Sequence, residues 1–200
     1  MGTTTNNGWT YPESTDLVKD GATAIQTLAD DIDTTLGVYT SSSSGLTLIN
    51  TTTFTAVASQ SINDVFSATY DNYFIQGNFT PASGQEIYYR LRVAGADATG
   101  SNYANQQFKG TSSTSIADAA TTANGLFSVN SSTRHVVSAF FYSPFAAVPT
   151  FSLSNFYDLA PAVGQLGVNH TLSTSYTGIT FYTNAGADMS GTVSVYGYKK

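Results

Sequence analysis

The sequence predicts a mostly β protein, an antiparallel two-sheet sandwich of the jelly-roll kind, preceded by one N-terminal α-helix. Three observations predict it. From Leu46 onward, short runs rich in Thr, Val, Ile, Phe and Tyr are broken at irregular intervals by Asn, Asp, Gly and Pro, the alternation of strands with turns. The composition, with 13 Tyr, 12 Phe and abundant Ser and Thr, favours strands over helices. A single segment near the N-terminus carries apolar residues at helical spacing.

Residues 1–14 are polar apart from Trp9-Thr10-Tyr11-Pro12 and cannot build a core, so they read as an arm that docks onto a surface. Ser14, Thr15 and Asp16 offer side-chain oxygens for the first free amides of a helix, and Gly37 is placed to stop it. Between them Val18, Ile25 and Ile32 recur every seven residues, with Ala22, Leu28 and Leu36 filling the same stripe. Lys19, Asp20, Gln26, Asp30 and Asp33 occupy the opposite face.

Such a rod, roughly 30 Å long, is marginal alone in water. Burying each Ile or Leu of the stripe contributes about 1.5–3 kcal/mol, so association is the expected source of its order. Parallel association of several chains is expected over packing on the chain's own β domain, because a seven-residue repeat followed by a flexible run resembles a stalk. The expected assembly interface is Trp9, Val18, Ala22, Ile25, Leu28, Ile32 and Leu36. The organisation read from the sequence is a docking arm and assembly helix over 1–37, a flexible linker over 38–45 that includes the serine run, and a β-sandwich head over 46–200.

The clearest strand is Ile87 to Val93, where Ile87, Tyr89, Leu91 and Val93 face one way and Tyr88, Arg90 and Arg92 the other. Further strands are expected at Leu46–Ile49, Asp64–Ala68, Tyr73–Phe79, His135–Tyr142, Thr150–Phe156, Gly178–Thr183 and Gly191–Tyr198. The small, polar stretch from Gly110 to Asn124 reads as a long surface loop.

Charged residues make up only 10% of the chain, against a usual level of about 25%, so the surface is polar without being charged. A net charge of −6 with seven Lys and Arg argues against nucleic acid as a partner. Cysteine is absent, which excludes disulfides and thiolate metal sites. The start of the chain lacks the pattern of a signal peptide, and no run of about 20 apolar residues predicts membrane insertion.

His135 and His170 are the only histidines, and neither has a partner at ligand spacing, so no metal or other cofactor is expected. Glu13 and Glu86 are the only glutamates, and no nucleophile elbow or phosphate-cradling loop is present. The expectation is a protein that is not an enzyme. Arg90 and Arg92 are expected in ion pairs between sheets or subunits. Tyr103, Tyr142, Tyr157 and Tyr176, near turns, have the ring chemistry of sugar-stacking sites, although most tyrosines in such a chain serve packing.

The segment from Trp9 to Ala22, Trp-Thr-Tyr-Pro-Glu-Ser-Thr-Asp-Leu-Val-Lys-Asp-Gly-Ala, followed by Ile25-Gln-Thr-Leu-Ala-Asp-Asp-Ile-Asp, resembles the N-terminal region of tailed-bacteriophage fibre and minor tail proteins. Val65-Phe-Ser-Ala-Thr-Tyr-Asp-Asn-Tyr, Tyr89-Arg-Leu-Arg-Val and Gly191-Thr-Val-Ser-Val-Tyr-Gly-Tyr resemble the C-terminal β domains of such virion proteins. The resemblance implies a structural protein of the virion surface, often trimeric, anchored to other virion proteins through its N-terminal arm. Its head would attach the particle to a host-surface glycan or protein, as a short tail fibre or receptor-binding protein. The alternative is a capsid decoration or head-fibre protein with a cementing or display role, and a small glycan depolymerase is a third reading. The chain departs from a long fibre in having no extended shaft between helix and head.

Overall fold

The computed structural model describes residues 1–42, 45–111, 115–159 and 162–198. They form two units, Met1–Gly45 and Leu46–Lys200.

In the first unit, β1 (Gly2–Thr3) and β2 (Thr10–Tyr11) pair antiparallel, a 3-10 turn covers Val18–Asp20, and α1 runs over Gly21–Ser42. The arm turns back on itself through Gly8, whose φ of 66° is the left-handed conformation glycine adopts without penalty. The expected helix ends are both corrected. Leu17, in extended conformation, occupies the N-cap without a side-chain bond, while Asp16 Oδ2 accepts from the Glu13 amide at 2.8 Å and stabilises a turn instead. Gly37 does not stop the helix: interior glycine costs about 1 kcal/mol, and no proline or further glycine follows before Ser42 to end the ladder. Residues 38–42 of the expected linker are therefore helical, and 43–44 lie outside the described residues.

The second unit is the expected antiparallel sandwich. Its larger sheet has the order β3 (Leu46–Val57), β15 (Met189–Tyr198), β5 (Asn72–Pro81), β11 (His135–Tyr142), β12 (Thr150–Asp158), β13 (Ala162–His170), β8 (Tyr103–Gly110), β9 (Ser115–Thr122). The smaller has β10 (Gly125–Ser132), β6 (Gln85–Val93), β14 (Gly178–Thr183) and β4 (Ser59–Ile62), with β7 (Ala96–Asp97) beside β6. Along β5, β11, β12 and β13 buried and open positions alternate, so each strand gives one face to the core. Ile75 and Phe79 from β5, Tyr89 and Leu91 from β6, Phe127, Phe141 and Phe181 meet there, fully buried. Rings pack edge-on or tilted, with Phe127 to Phe181 centroids 4.9 Å apart and Tyr89 to Phe141 5.2 Å.

Two expectations about this unit are corrected. The expected loop over Gly110–Asn124 holds β9 at Ser115–Thr122, paired with β8 from Tyr103↔Thr122 to Gly110↔Ser115, and its residues 112–114 lie outside the described residues. Asp64–Ala68 is not a strand. Its apolar residues Val65 and Phe66 plug the end of the sandwich, and both amides donate to the Thr177 carbonyl. Strand direction puts Leu46 and Tyr198, which are register partners, at one end of the sandwich. The turns at 82–84, 133–134 and 184–188 lie at the opposite end, the tip. Among the described residues no helix is long and apolar enough to cross a membrane.

Candidate functional site

The helix stripe is divided along its length. Ala24 is buried, and Leu28, Asp31, Ile32 and Thr35 are half-buried, positions that share one flank of α1. Part of the arm reaches this flank: the Trp9 indole N–H donates to Thr35 Oγ1 at 3.1 Å, and Thr35 donates to the Asp31 carbonyl at 2.8 Å. The other flank is open. Ile25 is 62% exposed, Leu36 56%, and Ala22 is exposed as well. Val18 lies in the 3-10 turn before the helix, 97% exposed.

Of the seven residues expected on one seam, Ala22, Ile25 and Leu36 thus face outward together. Leu28 and Ile32 border the covered flank, and Trp9 is half-buried within the unit. A cleft of about 780 Å³ opens beside the turn, lined by Met1, Pro12, Leu17, Val18, Gly21 and Ala24 among others. At its rim the Asp16 carboxyl is held below its ordinary range by the Glu13 amide and by the ammonium of Met1, 2.9 Å away.

In the β domain Arg90, Arg92 and Asp97 lie together on the outward face of the smaller sheet. Arg92 pairs with Asp97 of β7 and donates to Thr180 Oγ1 at 2.8 Å and Asn63 Oδ1 at 2.9 Å. Arg90 donates to the Ala123 carbonyl at 3.1 Å and lies over the Tyr182 ring, 4.8 Å from its centroid. Both arginines are thus engaged within the domain, and Arg92 within its own sheet rather than between sheets. Burial pushes the Tyr182 hydroxyl up to about 12, against the opposing pull of Arg90.

The outward face of the larger sheet is the reverse case. At the outward positions of β5, β11, β12 and β15 there is no Asp, Glu, Lys, Arg or His. Its middle rows are uncharged polar: Thr51 and Ser194 hydroxyls meet at 3.0 Å, and Gln165 donates to Asn155 at 3.2 Å. At the end that holds Leu46, register places Leu48, Tyr196, Phe74, Phe140 and Leu153 side by side in one row. Tyr198, Tyr142 and Phe151 adjoin them. Phe74 lies 5.3 Å from Phe140 and 6.1 Å from Tyr196 by ring centroids. Leu48 is 55% and Phe151 51% exposed, so the patch is open.

The sequence reading missed this patch. Its signal is the run Phe140-Phe141-Tyr142, where loss of polar alternation means that both faces of one strand carry apolar residues.

The tyrosines considered for stacking separate cleanly. Tyr103 and Tyr176 are buried against His170 and serve packing, which removes them as stacking candidates, whereas Tyr142 and Tyr157 are exposed. His135 joins the two sheets: its Nε2–H donates to the Gln85 carbonyl at 2.8 Å, and Nδ1 accepts from Ser128 Oγ at 2.7 Å. Burial holds both imidazoles below their ordinary pKa. Among the described residues no three acidic, histidine or cysteine side chains converge as a metal site would require.

No family model and no curated protein matches the sequence. Among solved structures the chain is similar to an exo-inulinase from Aspergillus awamori, at 11% identity and a TM-score of 0.42, over 76% of this chain and 29% of that one. It is similar to galectin LEC-6 from Caenorhabditis elegans at 11% identity and a TM-score of 0.34, over 77% of this chain and 96% of the galectin. It is similar to a fructosyltransferase from A. japonicus at 10% identity and a TM-score of 0.35, over 78% and 26%. The chain spans under a third of the inulinase and of the fructosyltransferase. At these scores the likenesses carry no argument about ligand or chemistry.

Proposed function

We propose that this chain is a non-catalytic attachment protein of a tailed-phage particle, a short fibre or receptor-binding protein. Its helix gathers copies into a trimeric stalk, and its β domain is the outward head. One observation carries the reading: the open flank of α1, where Ile25 and Leu36 stand in water along a 22-residue helix. Burial of each such side chain between copies contributes about 1.5–3 kcal/mol, enough in a few positions to order a helix that is marginal alone. The phage context rests on the resemblance of the Trp9–Ala22 and Ile25–Asp33 segments to fibre and minor tail proteins.

The mechanism is avidity. Three heads on one stalk hold the second and third contacts at high effective concentration once the first has formed, so weak individual contacts suffice. The tip turns, at the end opposite Leu46, are the surfaces such a head would offer to a host.

Labelled antibody against the chain, applied to intact particles, tests the proposal. Label at the tail supports it. Label over the shell and absent from the tail replaces it with capsid decoration, and unlabelled particles sink both. Reproducible shortening of a host-surface glycan by the purified protein would overturn the non-catalytic assignment.

A further inference from the structure

We infer that the outward face of the larger sheet is a contact surface between copies of this chain, made by the apolar patch around Phe74, Phe140, Phe151 and Tyr196. The inference rests on the reading of α1 as an association seam, and it adds a second seam in the β domain.

Chain connectivity supplies the occupant. The patch begins at Leu46 and Leu48, the first outward residues of β3, and Leu46 follows Ser42, the last residue of α1, by four positions in the sequence. Helices that associate therefore deliver the patches of their chains to one another at high effective concentration, so a surface too weak to associate freely still closes. Foreign partners have no such tether.

Electrostatics points the same way. Each copy carries a net charge of −6, and association through a charged face would set like charges against each other. The outward positions of β15, β5, β11 and β12 carry no charge, so two copies meet there without desolvating an ion.

Sedimentation velocity of the full chain over a concentration series tests the inference. Wild type is compared with Leu48→Lys/Phe151→Lys, two exposed positions whose replacement leaves the core intact, and with the helix variant Ile25→Asp/Leu36→Asp. The expected wild-type mass is three times the 21.1 kDa of one chain. The patch variant is expected to raise the dissociation constant at least tenfold while keeping the wild-type thermal transition.

In wild type alone, Tyr142 should become several-fold less reactive to iodination between dilute and concentrated samples. A patch variant that holds the wild-type mass, or a Tyr142 whose reactivity ignores concentration, overturns the inference. Protection that appears only when a neutral oligosaccharide is added overturns it too and assigns the face to a glycan. The helix variant separates the two seams. If it dissociates and the patch variant does not, the stalk stands and this inference falls. If only the patch variant dissociates, the face is the interface and the stalk reading falls.

Discussion

Tyr89→Phe removes one oxygen from the middle of the sandwich and asks what the hydroxyl contributes there. Tyr89 belongs to β6 of the smaller sheet and Ser152 to β12 of the larger, and their oxygens meet at 2.8 Å across the core. Both residues are buried, at 1% and 7% exposure. The phenylalanine ring keeps the same seat, since Gly125 lies against it and leaves no slack: a Cβ there would come within 2.2 Å. The loss is then the hydrogen bond plus the cost of leaving Ser152 Oγ stranded, together about 1–3 kcal/mol.

Ser152→Ala strands the Tyr89 hydroxyl and should cost a similar amount. The double variant strands nothing, so it should be no less stable than either single one, a coupling of about 1–3 kcal/mol. In a chain of this size each kcal/mol lowers the melting temperature by about 2–4 °C. Urea unfolding followed by near-ultraviolet circular dichroism reads the cycle, with an unchanged m-value as the sign that only stability moved. Additive single effects would refute the reasoning and show that apolar packing alone holds the sheets at this point.

Three further outcomes are expected. Gly37→Ala should stabilise α1 by about 0.5–1 kcal/mol, because the position is helical and a Cβ meets nothing within 4 Å; a loss of helicity would restore Gly37 as the helix stop. Ala94→Asn should stabilise the β6–β7 hairpin by a few tenths to about 1 kcal/mol in thermal unfolding, since Ala94 and Gly95 both hold positive φ, 51° and 77°, in a two-residue turn that suits Asn-Gly. Burial lowers the pKa of His135 and His170 below 6.5, so the unfolded chain binds more protons in mild acid. Stability should be full above pH 6.5 and fall as the pH drops towards the depressed values, by at most about 1.4 kcal/mol per pH unit for each histidine. A urea midpoint equal at about pH 7.5 and pH 5 would refute this.

Strands built from aromatic and β-branched residues were legible, and two of them, His135–Tyr142 and Gly178–Thr183, begin and end where the sequence places them. Their alternation is a local property, readable without knowledge of neighbours. β8, β9 and β13 were not legible. They are written largely in Ala, Gly, Gln, Asn and Ser, and their extended state comes from pairing with strands distant in sequence. Gly164 illustrates the point: a Cβ there would meet the Phe108 carbonyl at 2.6 Å and the Phe156 ring at 2.5 Å, contacts that no local pattern announces.

Asp64–Ala68 failed in the opposite direction, because an apolar run marks burial and not conformation. On the helix the seven-residue spacing located the stripe, but the Trp9–Thr35 bond that helps divide it into a covered and an open flank joins residues 26 apart and lies beyond a periodicity argument.

Leu46 and the tip turns terminate opposite ends of strands that run side by side. Tension applied between them therefore acts along the strands, and rupture must slide whole ladders at once. Tension applied between Leu46 and Tyr198 instead opens the β3–β15 ladder one rung at a time. The domain is mechanically anisotropic, long-lived when drawn lengthwise and quick to peel when its two strand ends are parted, and under force that difference is set by the unfolding rate rather than by equilibrium stability.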